Sequence, residues 1–424
     1  MPSPPTPSWP RVAVVVAAVV ALALAWVGWT WWSAERALDQ QEVGSIDDRG
    51  TEDAEAAAFD EVLDVLVVGS DDRSDLTEEQ RRELHTGTFD GARTDTILWV
   101  QLRGDGVSIV SFPRDLLVRT VDDGNMRINQ VLEVGGPDAL AGVVEGILGA
   151  ELDHYVEVSI SSFLEIVDAA GGVEICLDEE LRDRKSGADF DAGCHDMDGV
   201  DALAYVRSRQ GDRSDFARVE RQQIFLTALA DKATSLSVLA NPVRLRSLAT
   251  TVAEGLTVDD GLGVPRMVDL ARAMQGVLDE GLDSFTLPAY PMEVDGIPYV
   301  VPYEPGVAEL SGRIARGEEL PDRPTQEERD ELDVRIVAGA SSAEASRVES
   351  VLYFAGYSPA VGGTAEEPVR TTVHAGAGAG DAAEAIAAVL GARLSSSPPS
   401  DLELGFGEIV VVTGAGVGTE DEGA

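Results

Sequence analysis

The sequence predicts an α/β fold in which helices cover a central sheet, with a small α/β C-terminal domain after it and one N-terminal transmembrane helix before it. Three observations support this prediction. Short runs of β-branched and apolar residues alternate with helical periodicity between residues 61 and 310. A weaker alternation of the same kind returns at residues 332–415, and residues 12–32 form an uncharged apolar run. A chain of 424 residues that is 44% hydrophobic can build several cores.

The apolar run at 12–32 follows a tail, residues 1–11, whose one basic residue is Arg11. The run is long enough to cross a bilayer as one helix. Tryptophans gather at its far end, where such rings favour the membrane interface: Trp26, Trp29, Trp31 and Trp32. We expect an uncut anchor at the cell membrane, with Arg11 in the cytoplasm and everything after about residue 33 outside the cell. A signal peptide cut near Ala23 and Ala25 is the alternative.

The segments after the anchor differ in composition. Residues 33–60 are acidic and predict a stalk, residues 311–331 are charged and predict a linker, and residues 416–424 predict an acidic tail. The predicted strands of the main domain are 62–68, 96–102, 107–112, 154–158, 173–177 and 284–288. Its predicted helices are 137–148, 163–169, 201–209, 215–232, 243–255 and 264–278. In the small domain, strands at 334–337, 371–374 and 409–412 alternate with helices at 343–354 and 382–390.

The charge of the chain restricts its partners. Seventy-six Asp and Glu residues against thirty-two Lys and Arg give a formal net charge of −44. Phosphate-backbone binding is driven by basic surface, so this composition argues against nucleic acid as a partner. Only Lys185 and Lys232 are lysines. Such acidity predicts a fold that carboxylate repulsion weakens when ions are removed.

Cys176 and Cys194 are the two cysteines of the chain. Outside the membrane such a pair can be oxidised, and closing so short a loop contributes on the order of 3 kcal/mol in the chain-entropy model. His195 would add a zinc ligand, but no further thiol exists and the spacing matches no standard zinc site. We therefore predict a disulfide.

Against the acidic background, five arginines lie around Asp215: Arg207, Arg209, Arg213, Arg218 and Arg221. Guanidinium groups match phosphate oxygens, whereas solvated ion pairs on two helices are the plainer alternative. Four other polar segments each end a strand or begin a helix, and their spans are 69–73, 91–97, 111–115 and 127–129. Arginines and aspartates that converge in this way predict a pyrophosphate bridged by a metal ion, with Asp71 and Asp95 as candidate ligands.

The order of short motifs resembles the LytR-CpsA-Psr family over residues 61 to 240. The motifs are Gly69-Ser-Asp-x-Arg73, Arg93-Thr-Asp-Thr-Ile97, Ser111-x-Pro-Arg-Asp115, Arg127-Ile-Asn129, Asp153-His-Tyr-Val-Glu-Val158, Val167-Asp-x-x-Gly-Gly-Val173, Leu203-Ala-Tyr-Val-Arg-x-Arg209 and Asp215-Phe-x-Arg-x-x-Arg-Gln222. Residues 332–414 are similar, more loosely, to the C-terminal domain that actinobacterial members often carry. Ala338-Gly339 stands there where Asn-Gly is expected.

The resemblance implies a central mixed sheet between helices and a membrane-anchored phosphotransferase that acts outside the cell. Such enzymes take a glycopolymer from a polyprenyl-pyrophosphate carrier and attach it to peptidoglycan. The polymer, whether teichoic-acid-like, capsular or arabinogalactan, is not specified. Two alternatives are a phosphatase that hydrolyses the polyprenyl pyrophosphate and a membrane-bound attenuator of envelope gene expression.

The resemblance also implies roles for individual residues. Asp71 and Asp95 would hold Mg²⁺ or Mn²⁺, and Asp215 would be the general base, with Arg114, Arg207 and Arg209 as further catalytic residues. The pyrophosphate would be bound by Arg93, Arg114, Arg207, Arg209, Arg218 and Gln222. Helical spacing supports part of this set independently, because Asp215, Arg218 and Gln222 at i, i+3 and i+7 share one face.

Overall fold

The computed structural model describes most of the chain after the predicted stalk. It covers residues 62–71, 78, 81, 84, 94–103, 106–120, 124–208, 210, 214–235, 241–262, 283–321, 324, 326–339, 341–364, 370–395 and 404–414. The predicted tail 1–11, membrane helix 12–32, stalk 33–60, helix 264–278 and acidic tail 416–424 lie outside these residues. Among the described helices, none has the length and apolar character needed to cross a membrane.

The first part of the chain alternates strands and helices. In chain order these are β1 (Leu63–Ser70), β2 (Thr94–Arg103), β3 (Gly106–Ser111), β4 (Leu117–Thr120), β5 (Gly124–Arg127), α1 (Val131–Leu148), β6 (His154–Ser159), α2 (Ile160–Ala170), β7 (Val173–Leu177), β8 (Leu181–Asp183), β9 (Ala188–Phe190), β10 (Gly193–Met197), α3 (Gly199–Arg207), α4 (Ser214–Thr234), α5 (Pro242–Gly255), β11 (Leu256–Val258) and β12 (Asp283–Thr286). A short 3-10 helix, Ile128–Gln130, precedes α1.

The second part follows directly. It comprises β13 (Ala289–Val294), β14 (Ile297–Pro302), α6 (Glu304–Ala315), α7 (Gln326–Glu331), β15 (Asp333–Ala338), α8 (Ser342–Phe354), β16 (Ala360–Thr364), β17 (Thr372–Ala375), α9 (Gly380–Leu390), β18 (Arg393–Ser395) and β19 (Glu408–Val412).

Six described strands form the central sheet in the order β11-β6-β1-β2-β3-β12. Strand β1 pairs antiparallel with β2, where Leu66 lies opposite Trp99, and parallel with β6, where Leu66 lies opposite Tyr155. Strand β12 runs parallel to β3, and β11 runs antiparallel to β6. The predicted central mixed sheet is therefore confirmed.

Both faces of this sheet are buried. Leu66 and Trp99 pack on one face with residues of α1, whereas Val65 and Val100 pack on the other face near Leu226 of α4. A sheet covered on both sides needs apolar residues at successive positions, which accounts for the nearly continuous apolar runs of β1 and β2.

The small domain is a second sheet of five described strands in the order β16-β15-β19-β17-β18. Helices α8 and α9 pack on it, and its core is continuous with that of the first sheet through α6. This connection differs from the predicted linker 311–331. Helix α6 crosses residue 311, and Val307, Leu310 and Ile314 form a buried stripe at helical spacing. Its charged residues lie on the other side, where Arg313 Nε contacts Glu309 Oε1 at 2.9 Å.

The two cysteines lie directly opposite each other on β7 and β10, and they form a disulfide. Both are exposed, while the neighbouring Ile175 and Met197 point into a core shared with α2 and α3. The covalent bond thus joins the strand that follows α2 to the strand that precedes α3.

Candidate active site

A cavity of about 420 Å³ opens where β1 ends, between the central sheet and helices α2, α3 and α4. Polar residues line it from the ends of strands and from facing helices: Ser70, Asp71, Asp95, Thr96, Arg114, Ser159, Asp183, Lys185, Ser186, Arg207, Arg218 and Gln222. Apolar residues line it from the sheet and the helices: Val67, Val68, Leu98, Val158, Ile160, Phe163, Ile166, Val167, Leu203, Val206, Phe225, Leu226 and Leu229. The lining of one cavity therefore combines charged with apolar side chains.

The structure brings most of the predicted site residues together. Six of them line this cavity: Asp71, Asp95, Arg114, Arg207, Arg218 and Gln222. Arg93 and Arg209 lie outside the described residues. Asp215 belongs to the first turn of α4, but its side chain is outside the described part of the chain. The roles of these three residues stay predictions.

Asp95 and Arg114 meet because β2 and β3 are antiparallel neighbours. Leu98 lies opposite Ser111, so the beginning of β2 reaches the turn that follows β3. Arg114 Nη1 donates to Asp95 Oδ1 at 3.0 Å, and about a third of each side chain remains exposed. The pair is accessible to a ligand that enters the cavity.

Gln222 reaches the same region from α4. Its Nε2 donates to Thr96 Oγ1 at 3.0 Å, which fixes the helix against the beginning of β2. Thr96 was not predicted as a site residue. Its one signal in the sequence is its place in Arg93-Thr-Asp-Thr-Ile97, two residues after a strand begins.

Two of the clustered arginines line the cavity, and a third does not. Arg207 is the last residue of α3 and donates from Nη1 to the carbonyl of Leu84 at 3.2 Å. Arg218 is buried in the wall on α4. Arg221 instead donates to the carbonyls of Ser208 and Gln210, at 2.9 and 3.1 Å, and so binds the main chain just after α3.

Helix α3 begins at a capped N-terminus and ends at Arg207, which lines the cavity. The Asp198 carboxylate accepts from the backbone N–H groups of Val200 and Asp201, both at 3.0 Å, and caps the helix. Nine residues later the helix ends at Arg207, a position where a cation also complements the helix dipole.

The site offers a divalent cation two carboxylates, Asp71 and Asp95, in the lining of one cavity. The described residues contain no cluster of three or more His, Cys, Asp or Glu that could enclose an ion. Mg²⁺ usually keeps several waters and takes one or two carboxylates together with substrate phosphates. The donor set therefore fits a magnesium ion that is shared with a phosphorylated ligand.

Comparisons with known proteins find related sequences and a similar fold. The LytR_cpsA_psr family model matches residues 32–316. The chain is 34% identical over 282 residues to the cell wall biosynthesis protein LcpA of Corynebacterium glutamicum, covering 58% of this chain and 53% of LcpA. It is 31% identical over 199 residues to the polyisoprenyl-teichoic acid–peptidoglycan teichoic acid transferase TagU of Bacillus mycoides, covering 46% of this chain and 60% of TagU. The chain thus spans about half the length of the curated relatives it matches.

A solved structure shows the same fold. The crystal structure of B. subtilis TagV superposes with a TM-score of 0.50 at 22% sequence identity, covering 62% of this chain and 99% of TagV. At this level of identity, the likeness concerns the arrangement of strands and helices alone.

Proposed function

The chain belongs to the LytR-CpsA-Psr family, and on that premise we propose that it transfers a glycopolymer from a polyprenyl-pyrophosphate carrier to peptidoglycan. The names of LcpA and TagU, which refer to cell wall biosynthesis and to teichoic acid transfer, support this class of reaction.

The observation that carries the proposal is the mixed lining of the cavity. A prenyl pyrophosphate joins a strongly anionic headgroup to an apolar chain. Arg114, Arg207 and Arg218 lie on the wall that would meet the headgroup, and residues such as Phe163 and Phe225 would contact the chain. The two phenylalanine rings lie 5.0 Å apart. The cavity volume, about 420 Å³, is ordinary for a site that buries a small ligand.

In the proposed reaction, an acceptor hydroxyl oxygen attacks the phosphorus that is bonded to the glycopolymer. A new P–O bond forms, the bond from this phosphorus to the bridging oxygen breaks, and polyprenyl phosphate leaves. Asp215 accepts the hydroxyl proton. Phosphoryl transfer depends mainly on positioning and on neutralised charge, and the arginines supply both.

Asp71 and Asp95 would hold the divalent cation, Mg²⁺ or Mn²⁺, which when bound would neutralise charge on the pyrophosphate oxygens. Arg93, Arg209 and Gln222 complete the proposed pyrophosphate site. Gln222 is already held by Thr96, so its amide is fixed in the cavity wall before a ligand binds.

We also propose that residues 12–32 anchor the protein as one membrane-spanning helix, with the catalytic domain outside the cell. The apolar run supports this placement, and so does the disulfide, because such bonds persist outside the cytosol. An anchored site would face both the lipid-linked donor and peptidoglycan.

The test is transfer from a lipid-linked glycopolymer to a peptidoglycan acceptor by the purified protein with Mg²⁺. Arg114→Ala and Arg207→Ala should each lower turnover on the order of 10²-fold or more, since each removes charge stabilisation at the pyrophosphate. Arg119→Ala is the matched control, because Arg119 is exposed on β4 outside the cavity lining. Full activity of either site variant would refute the assignment, and release of lipid phosphate without a transfer product would favour hydrolysis.

A second test distinguishes the role of the apolar part of the cavity lining from that of the charged part. Ile166→Phe adds volume to the apolar lining and should weaken binding of a long-chain prenyl pyrophosphate about tenfold while leaving inorganic pyrophosphate unaffected. Ile224→Phe is the control, since Ile224 is exposed on α4. Equal weakening for both ligands, measured by calorimetry, would argue against an apolar chain site.

A further inference from the structure

We infer that Arg127 is a positioning residue for Arg114, that it acts through Asp115, and that the β13–β14 hairpin holds it in place. This inference rests on the proposed function and adds to it a residue that does not contact the ligand. The cavity lining contains Asp95 and Arg114, but within the described residues it contains neither Asp115 nor Arg127.

Four side chains of alternating charge form a ladder that ends in the cavity. Arg127 Nε lies 3.3 Å from Asp115 Oδ1, and Asp115 Oδ2 lies 3.7 Å from Arg114 Nε. Arg114 Nη1 then contacts Asp95 Oδ1 at 3.0 Å. Two carboxylates therefore lie at different edges of the Arg114 guanidinium, Asp95 in a hydrogen bond and Asp115 at ion-pair distance.

The far end of the ladder is fixed by a hairpin about 170 residues further along the chain. Arg127 Nη2 donates to the carbonyl of Pro298 at 2.9 Å, and the guanidinium carbon lies 5.5 Å from the centre of the Tyr299 ring. The same hairpin also binds the main chain of Asp115, since Val300 N donates to the carbonyl of Asp115 at 3.0 Å. Strand β14 thus fixes both Arg127 and the backbone of Asp115.

The ladder matters once a ligand enters. If Asp95 binds a metal ion, its contact with Arg114 is shared with that ion, and Asp115 becomes the carboxylate that fixes the guanidinium. Arg127 occupies one oxygen of Asp115 and leaves the other for Arg114. About a third of each of these side chains is exposed, and ion pairs at such positions contribute little to stability. We therefore expect loss of Arg127 to affect ligand binding and turnover more than folding.

The experiment measures binding of geranyl pyrophosphate, with Mg²⁺, to the full chain by calorimetry. Arg127→Met should weaken binding about tenfold, as expected when a charge-assisted contact loses its geometry, with little change in melting temperature. Arg127→Lys keeps the positive charge and should therefore weaken binding less than Arg127→Met does. Arg119→Met is the control, because it removes a guanidinium from β4, the strand that pairs with β5. Arg119 Nε contacts Asn125 and none of the four charged side chains, so binding should not change.

The decisive comparison uses Arg114→Lys as a second background. Lysine has no Nε edge for Asp115 to hold, so Arg127→Met should then change binding less than twofold. An equal loss in both backgrounds, or a loss that parallels a fall in melting temperature, would overturn the inference while leaving the proposed function intact. If the unsubstituted protein does not bind geranyl pyrophosphate, the proposed function fails, and this inference fails with it.

Discussion

Asp64 places a half-buried carboxyl group at the end of β1 opposite the candidate site. Gln101 Nε2 donates to its Oδ1 at 3.0 Å, and its backbone N–H donates to Asp153 Oδ2 at 2.8 Å. Burial, reinforced by the negative charge of Asp153 and opposed by the Gln101 hydrogen bond, raises the pKa of Asp64 from 3.8 to about 7. The folded protein therefore binds this proton more tightly than the unfolded chain does.

The sign of the effect on stability follows from the two pKa values. The contribution of Asp64 to the free energy of unfolding is fully present below about pH 4 and is lost as the pH rises to about 7. Asp64→Asn should stabilise the protein at pH 8 and change little at pH 4. The full shift of the Asp64 pKa, from 3.8 to about 7, corresponds to about 4 kcal/mol in the free energy of unfolding. Because the carboxyl is partly exposed and solvent screens its charge, we expect Asp64→Asn to stabilise the protein by about 1 to 2 kcal/mol at pH 8.

Urea unfolding at both pH values checks this prediction. Asp153→Asn should reproduce a smaller part of the gain, because its charge adds to the raised pKa of Asp64. An Asp64→Asn variant with the same gain at pH 4 and pH 8 would show that the effect is not one of ionisation.

The candidate site shows what residue types can and cannot predict. Motif order predicted six residues that line the cavity: Asp71, Asp95, Arg114, Arg207, Arg218 and Gln222. The side chains of the arginine cluster, however, do not all reach the cavity. Arg218 lines it, whereas Arg221, three residues later on the same helix, binds carbonyls outside it. Both positions are compatible with one helical face, so only the packing of α4 separates them. The apolar lining could not be predicted either, because a chain-binding wall and a core use the same side chains.

At the scale of elements, helices α6 and α9 cross at a contact that only glycine permits. A Cβ on Gly306 would lie 2.1 Å from the carbonyl oxygen of Val389, and one on Gly391 would lie 2.0 Å from that of Pro305. Gly391 also has a φ of 56°, which favours glycine. The small domain therefore packs backbone to backbone against the helix that joins it to the main domain.

Gly306→Ala should separate these helices and cost about 1 to 3 kcal/mol, the usual penalty for excess volume at a tight contact. Gly312→Ala on the same helix is the control, because its Cβ would meet the end of the Arg316 side chain, which can move. Alanine there should be neutral or stabilising by up to about 1 kcal/mol. Hydrogen exchange of α9 gives the local readout, and unchanged protection in Gly306→Ala would contradict the close contact.

Several elements with a clear apolar periodicity were predictable from sequence, whereas the three-residue strands β8 and β9 and the proline-rich β13–β14 hairpin were not. Strands β1, β2 and β3 and helix α2 were predicted within a few residues of their observed bounds. Strands β8 and β9 have three residues each, too few for a periodicity to emerge. The β13–β14 hairpin carries Pro291, Pro298 and Pro302, which in a sequence argue against strands although a two-stranded ribbon accommodates them.

The chain as a whole carries a formal net charge of −44, whereas the lining of the cavity contains three arginines, Arg114, Arg207 and Arg218. The cations in the cavity lining would attract an anionic ligand, while the remaining carboxylates repel one another across the surface. Some of this repulsion is relieved locally, as where Arg335 Nη2 contacts Glu408 Oε1 at 2.7 Å between β15 and β19. Thirty-two basic residues cannot neutralise seventy-six acidic ones, so screening by dissolved ions has to supply the rest.

The melting temperature should therefore rise with salt. Screening lengths fall from about 30 Å at 0.01 M to about 3 Å at 1 M, so repulsion between distant carboxylates is largely removed over that range. We expect the midpoint to increase by about 5 °C or more, with a large part of the rise below roughly 0.2 M, where screening changes most. Sucrose is the control, because it favours burial without screening charge. A midpoint that does not move with sodium chloride, or that moves equally with sucrose, would show that carboxylate repulsion does not limit the stability of this fold.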